Sequence, residues 1–226
     1  GNVADGLTQL ESVVTNVSVQ VQNSPSPLLS RSFKEKYDED GYFIIPAAFK
    51  AEEIDEMAEI VNKYILDNGP LLRPYAFHRN LGGWYAADIM SDPKLKPVFD
   101  KTHRNKALRK ALGEVFGGPN YRFFKRNELN IDRSVGWHRD AMGGALKRYQ
   151  WLDDWSVQPD QSKYRVLNVA VYFEDHSGAD NNALTVRPGS QVSATATSEP
   201  VALHPAKGDI VIFDCRITHR GQDPKN

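Results

Sequence analysis

The stretch Gly208-Asp-Ile-Val-Ile-Phe-Asp-Cys-Arg-Ile-Thr-His219 (GDIVIFDCRITH) joins a Gly-Asp turn to an apolar run and ends on a histidine. A run rich in β-branched residues and opened by a turn signal reads as a strand. It predicts one closing strand that delivers His219 at its far end. Cys215 lies within it without an activating neighbour, so a buried, inert thiol is expected.

Similar stretches lie upstream. YRFFKRNELNI (121–131), YRVLNVAVYFE (164–174) and NALTVRPGS (182–190) each carry strand-forming residues between Gly, Pro and Asn/Asp punctuation. The first half of the chain has a different texture. GYFII (41–45) reads as a short buried strand stopped by Pro46. AEEIDEMAEIVNKYILDNG (51–69) then repeats Ile54, Met57, Val61 and Tyr64 or Ile65 at helical spacing, with acids at its start and Gly69-Pro70 at its end. NKALRKALGEVFGG (105–118) predicts a second helix with Leu108, Leu112, Val115 and Phe116 on one face. Helices followed by a run of strands predict an α+β, mainly β protein, with helices packed on a β-sandwich or barrel. Residues 1–31, rich in Ser, Val, Asn, Gln and Thr, are expected to form an extension, and 32–226 the domain. The segment between Asp140 and Arg165 is irregular and carries Tyr149, Trp151, Trp155 and Tyr164. It reads equally as a lid or substrate wall and as a small satellite core.

The 226 residues are 40% hydrophobic, enough for a sizeable core. A formal net charge of −1, with no basic run, argues against bulk electrostatic binding of nucleic acid. A single cysteine excludes an intrachain disulfide, and a reducing, cytoplasmic setting is the simpler expectation. No apolar run approaches membrane-spanning length, and the N-terminus has no signal-peptide pattern, so neither membrane nor secretion is expected.

The chemistry centres on GWHRDA (136–141). His138 and Asp140 stand two positions apart, so in an extended segment both side chains point to one face and reach one ion. His219 is the expected third ligand. Two histidines and a carboxylate leave three positions of an octahedral ion open, which suits non-haem Fe(II) oxygenases; zinc hydrolases also use this ligand set, so the residues alone leave the metal open. Trp137 is expected on the opposite face, packing rather than facing the metal. His78, His103, His176 and His204 lack a partner pattern and are expected in ordinary roles.

The HxD pair, then VYFEDHSGADNNALTVRPGS (171–190), then GDIVIFDCRITHRG (208–221), in that order, resemble the phytanoyl-CoA dioxygenase-like family of Fe(II)/2-oxoglutarate oxygenases. FKEKYDEDGYFIIPAAFKAEEIDEMAEIV (33–61) is similar to that family's opening strand and helix, and the resemblance runs from Phe33 to Asn226. It implies a double-stranded β-helix, the jelly-roll or cupin-like core, with helices on one side. It implies that His138, Asp140 and His219 hold Fe(II), that 2-oxoglutarate and O₂ are co-substrates, and that a small molecule is hydroxylated with release of succinate and CO₂. The presence of Asp140 favours oxygenation, since halogenating relatives lack this carboxylate. The family's arginine for the far carboxylate of 2-oxoglutarate, and its last core strand, are expected beyond Asn226. Within the chain Arg216 is the nearest stand-in, with Arg220 beside it, although strand alternation turns both away from His219. Asn130 resembles a 2-oxoglutarate contact. The segment around Arg73, His78, Arg79, Trp84 and Tyr85, with Lys147 and Arg148, reads either as a border to an opening for a polar or acidic substrate or as a solvated face. The rival readings are a metal-dependent hydrolase on a similar barrel and a non-catalytic binding member.

Overall fold

Because side chains alternate along a strand, a strand buried on both sides must feed two different cores. Three strands here do so. The computed structural model describes residues 31–68, 73–74, 84–87, 92–123, 128–131, 135–140, 165–178, 183–192 and 198–221. The expected N-terminal extension before Arg31, the aromatic segment 141–164, His78, Arg79, Lys147 and Arg148 lie outside these residues.

Helix α1 (Phe33–Asp40) opens with a capping box. Glu35 N donates to Ser32 Oγ (3.2 Å) and Ser32 N donates to Glu35 Oε2 (2.7 Å), which satisfies two otherwise orphaned donors. It ends at Gly41, whose φ of 81° is one that residues with a Cβ rarely adopt. Strand β1 (Tyr42–Ile45) follows, then α2 (Ala51–Asn68), which buries the Ile54, Met57 and Val61 stripe read from the sequence. Strands β2 (Arg73–Pro74) and β3 (Trp84–Ala87) lead to α3 (Lys96–Arg104) and α4 (Lys106–Phe116). Asn105 caps α4 by accepting from Leu108 N (2.9 Å), and Leu108, Ala111, Leu112 and Val115 are buried. The remaining strands are β4 (Glu128–Ile131), β5 (Leu167–Val171), β6 (Leu184–Val186), β7 (Val201–Leu203), β8 (Ile210–Asp214) and β9 (His219–Gly221). The α+β class holds, but among the described residues more are helical than extended, because each strand is only two to five residues long.

The strands form three antiparallel sheets, ordered β1-β8-β5, β2-β3-β4 and β7-β6-β9. In the first, Phe43, Ile45, Ile210 and Ile212 join the helices in one core, with Leu167, Val169 and Val171 against them. Val211 and Phe213 face the other way and pack with Leu184, Val186 and Leu203 of the third sheet, beside Tyr42, Ile44 and Ala170. The order of layers is therefore helices, the β1-β8-β5 sheet, a second core, and the β7-β6-β9 sheet. A one-residue slip of β8 would exchange its two faces, so burial on both sides fixes its register.

The predicted strand 208–219 is in fact two. After Asp214 the chain turns, with Ile217 N donating to Asp214 O (3.0 Å), and His219 begins β9 in a different sheet. The other end of β8 is tied by Asp209, whose carboxylate accepts from Ala47 N (2.8 Å) and Ala206 N (2.9 Å). This tie holds Ala47 at a positive φ of 47°. Gly208, at φ 89°, brings the neighbouring turn so close that an added Cβ would sit 3.0 Å from Phe49 O. Asp209→Ala is expected to cost about 1–3 kcal/mol by leaving two backbone donors unsatisfied. The urea unfolding midpoint reads this directly, and an unchanged midpoint would show that water replaces the carboxylate.

Candidate metal centre

The site begins with a backbone pairing. His138 N donates to His219 O (2.9 Å) and His219 N to His138 O (3.0 Å), so the two residues stand directly opposite each other on antiparallel segments. Gly221 N extends the pairing to Val135 O (2.9 Å). Residues opposed in this way present their side chains to the same side, and the two imidazole centroids lie 4.2 Å apart.

Each imidazole is then oriented by its own chain. His138 Nδ1 lies 2.8 Å from Gly136 O, and His219 Nδ1 lies 3.0 Å from Ile217 O. A carbonyl only accepts, so both Nδ1 atoms carry the proton, and each Nε2 is left with its lone pair when the ring is neutral. Burial pushes the His219 imidazolium down, against the opposing pull of the Asp140 charge, and this favours the neutral ring. Asp140 completes the group. Its Oδ1 lies 3.3 Å from His138 Nε2 and its Oδ2 lies 3.7 Å from His219 Nε2. Burial alone would raise its carboxyl, but hydrogen bonding to His138, the nearby His219 and the amide of Asn168 outweigh it and hold the acid below its usual range. A ligand atom from each of the three residues lies within 4.8 Å of the others, and no other His/Cys/Asp/Glu group among the described residues converges in this way. Two neutral nitrogen donors and one anionic oxygen, each with its orientation fixed, fit a divalent transition-metal ion.

The surrounding elements brace the site. Thr218, one residue before His219, is held on three sides. Its N–H donates to Ser190 Oγ (2.8 Å), its carbonyl accepts from Arg187 N (2.9 Å), and its hydroxyl accepts from Arg139 Nε (2.7 Å). The RPGS segment (187–190) therefore braces the candidate metal centre. Phe213 lies against the His219 ring at 4.9 Å between centroids. Trp137 turns to the opposite face, 40% exposed, between the guanidinium groups of Arg187 (4.9 Å) and Arg220 (5.1 Å).

The other residues singled out in the sequence lie elsewhere. Asn130 is on β4, opposite Tyr85 of β3, with its side chain exposed. Arg216 occupies the turn between β8 and β9, not a continuing strand. Its guanidinium grips the buried Asp214 carboxylate through Nε (3.0 Å) and Nη2 (2.8 Å). Cys215 is buried and its thiol is pushed up by that burial, which disfavours the reactive thiolate. His103 packs against Phe99 and Phe123, His176 against Tyr172, and His204 Nδ1 lies 3.0 Å from Gly178 O. One contact at the site was missed. Asn168 Nδ2 donates to Asp140 Oδ2 at 2.5 Å. Its signal is a lone amide in the otherwise apolar LNVAV of β5.

A pair of histidines and an aspartate held in this way matches the donor set of the facial-triad class of mononuclear metal sites. The family model for phytanoyl-CoA dioxygenase (PhyH) matches residues 37–225, and the chain belongs to that family. No curated protein matches it significantly. Among solved structures, the non-heme alpha ketoglutarate dependent carbocyclase SnoK from nogalamycin biosynthesis is similar at a TM-score of 0.64 and 16% identity, covering 88% of this chain and 79% of that one. The epimerase SnoN, solved with Fe3+, alpha ketoglutarate and nogalamycin RO, follows at 0.56 and 14%, covering 86% and 77%. A 2OG-Fe(II) oxygenase family oxidoreductase from Burkholderia pseudomallei has a TM-score of 0.54 at 16% identity, covering 86% and 82%.

The bidentate pair assigns Arg216 a measurable structural weight. Arg216→Ala is expected to cost about 3–5 kcal/mol, because it strands a buried carboxylate. Denaturant unfolding measures this loss. An unchanged midpoint together with weakened 2-oxoglutarate binding would instead assign Arg216 to the co-substrate.

Proposed function

We propose that this protein is an Fe(II)- and 2-oxoglutarate-dependent dioxygenase that hydroxylates a small-molecule substrate. One observation carries the reading: two Nε2 atoms and one carboxylate converge, with both Nδ1 protons fixed on backbone carbonyls. In this reading residues 32–226 form the oxygenase domain, and the two sheets that share the second core belong to a jelly-roll, double-stranded β-helix. Membership of the PhyH family supports both points. The protein would work inside the cell on a small molecule, without nucleic acid or membrane; among the described residues no helix is long and apolar enough to cross a bilayer.

The chain's own residues have defined tasks. His138 and His219 offer neutral nitrogen donors, Asp140 offers a negative charge to a divalent ion, and the three leave half of an octahedron open. When bound, Fe(II) supplies the redox chemistry by which O₂, 2-oxoglutarate and a C–H bond become succinate, CO₂ and an alcohol. One oxygen atom enters the substrate and the other enters succinate. Asn130 is proposed as a 2-oxoglutarate contact. Arg216 was read as a second, but its grip on Asp214 makes it the weaker candidate. Carbocyclase and epimerase activities are named for solved neighbours that also depend on alpha ketoglutarate, so product analysis must separate hydroxylation from ring closure and from inversion.

Anaerobic addition of Fe(II) and then 2-oxoglutarate to metal-free protein is expected to produce the weak visible charge-transfer band of a metal-chelated keto acid, and His219→Ala should abolish it. Metal binding without any keto-acid band would refute the oxygenase reading and favour a metal-dependent hydrolase. Absence of metal binding would favour a non-catalytic binding role.

A further inference from the structure

Asn168 lies on the face of β5 that is turned away from the helices, in register with Phe213 of β8. Its neighbours Leu167 and Val169 belong to the helix-side core, whereas Ala170, two residues on, packs in the second core beside the metal centre. From this position its Nδ2 reaches across to Asp140 Oδ2 at 2.5 Å. Asp140 lies just past the His138–His219 pairing, where the chain has left the extended conformation. An ionised carboxylate offers only acceptors, so the amide must present its NH₂ here, and one carboxylate oxygen is engaged by a neutral donor.

We infer that Asn168 is a positioning residue that holds Asp140 as a one-oxygen metal ligand; the inference rests on the reading of His138, Asp140 and His219 as the Fe(II) site. With Oδ2 engaged by the amide, Oδ1, which lies 3.3 Å from His138 Nε2, is the oxygen this reading gives to the ion. The carboxylate then takes one position rather than two. That count matters, because a two-oxygen carboxylate would leave two open positions where a chelating keto acid and O₂ need three. A neutral amide also adds no charge, so the site keeps the single negative charge of Asp140. A lysine or arginine in its place would compete with the ion for that charge.

The test uses the full chain and Mn(II) alone, read by loss of the free-ion paramagnetic resonance signal, with Fe(II) plus 2-oxoglutarate as the second step. Asn168→Leu keeps the volume and removes the donor. It is expected to weaken Mn(II) binding about 10–100-fold, the usual cost of losing a ligand's supporting hydrogen bond. It is also expected to raise the 2-oxoglutarate concentration needed for the visible band at saturating Fe(II), while the unfolding midpoint of the metal-free protein is kept. Should Asn168→Leu fold poorly, Asn168→Ser, smaller and too short to reach Asp140, carries the same expectation. Mn(II) affinity within about twofold of wild type in a folded variant overturns the inference and leaves the metal site standing. Mn(II) binding that is absent from wild type, or unchanged in His219→Ala, refutes the metal-site reading itself and the inference with it.

Discussion

The buried carboxylate of Asp214 is the constraint on which the site depends. It stands where the chain leaves the β1-β8-β5 sheet and must reach the β7-β6-β9 sheet within a few residues. It accepts from the Tyr37 hydroxyl (2.7 Å), from Arg216 N (2.8 Å) and from two guanidinium nitrogens. Burial, reinforced by the Asp214 charge, pushes the Tyr37 hydroxyl well above its usual range, so it remains a donor across the physiological range. A carboxylate with this many donors is stable without water, whereas one short of partners in the same place would be costly. The turn thus has one favourable geometry. It ties α1, through Tyr37, to the end of β8, and the turn that starts there leads to His219, the first residue of β9.

Sequence patterning made some of this legible and hid the rest for physical reasons. The helix stripe Ile54, Met57 and Val61 was visible because one face of α2 is solvated, so apolar and polar positions separate. Strand β8 offers no such contrast. Ile210 and Ile212 feed one core and Val211 and Phe213 the other, so all four are apolar and the alternation vanishes. The break after it was hidden likewise, since Ile217 resumes the apolar run in the second core. The trace it left was Asp214 and Arg216, two opposite charges inside a run that otherwise read as buried. Such a pair inside a core has to be joined, and it joins here by turning the chain. Helix α1 left a clearer sign, the Ser32–Glu35 capping box. Strand β7 left little, because two of its three residues are exposed.

The candidate metal centre was legible to the extent that its geometry is local. His138 and Asp140 are two apart, which in an extended segment puts them on one face; the chain leaves the extended conformation at Asp140, and the two side chains still meet. Their partnership with His219 depends on an antiparallel pairing over a long stretch of chain, which spacing cannot reveal. Asn168 was invisible for the same reason, compounded by its chemistry: an amide in a strand has many ordinary uses, and only the contact with Asp140 distinguishes this one.

That contact divides the site between two sheets. His138 and His219 are fixed to each other by backbone bonds on the β9 side, so their separation is as rigid as a ladder rung. Asp140 is held from the β5 side. The distance between the sheets is set by what fills the space between them, namely Val211, Phe213, Leu184, Val186 and Leu203. Close-packed interiors transmit changes in volume, and ligand geometry tolerates shifts of only about half an ångström. The apolar second core therefore helps to shape the candidate metal site. It sets where the carboxylate stands relative to the two imidazoles, although none of its side chains can bind an ion.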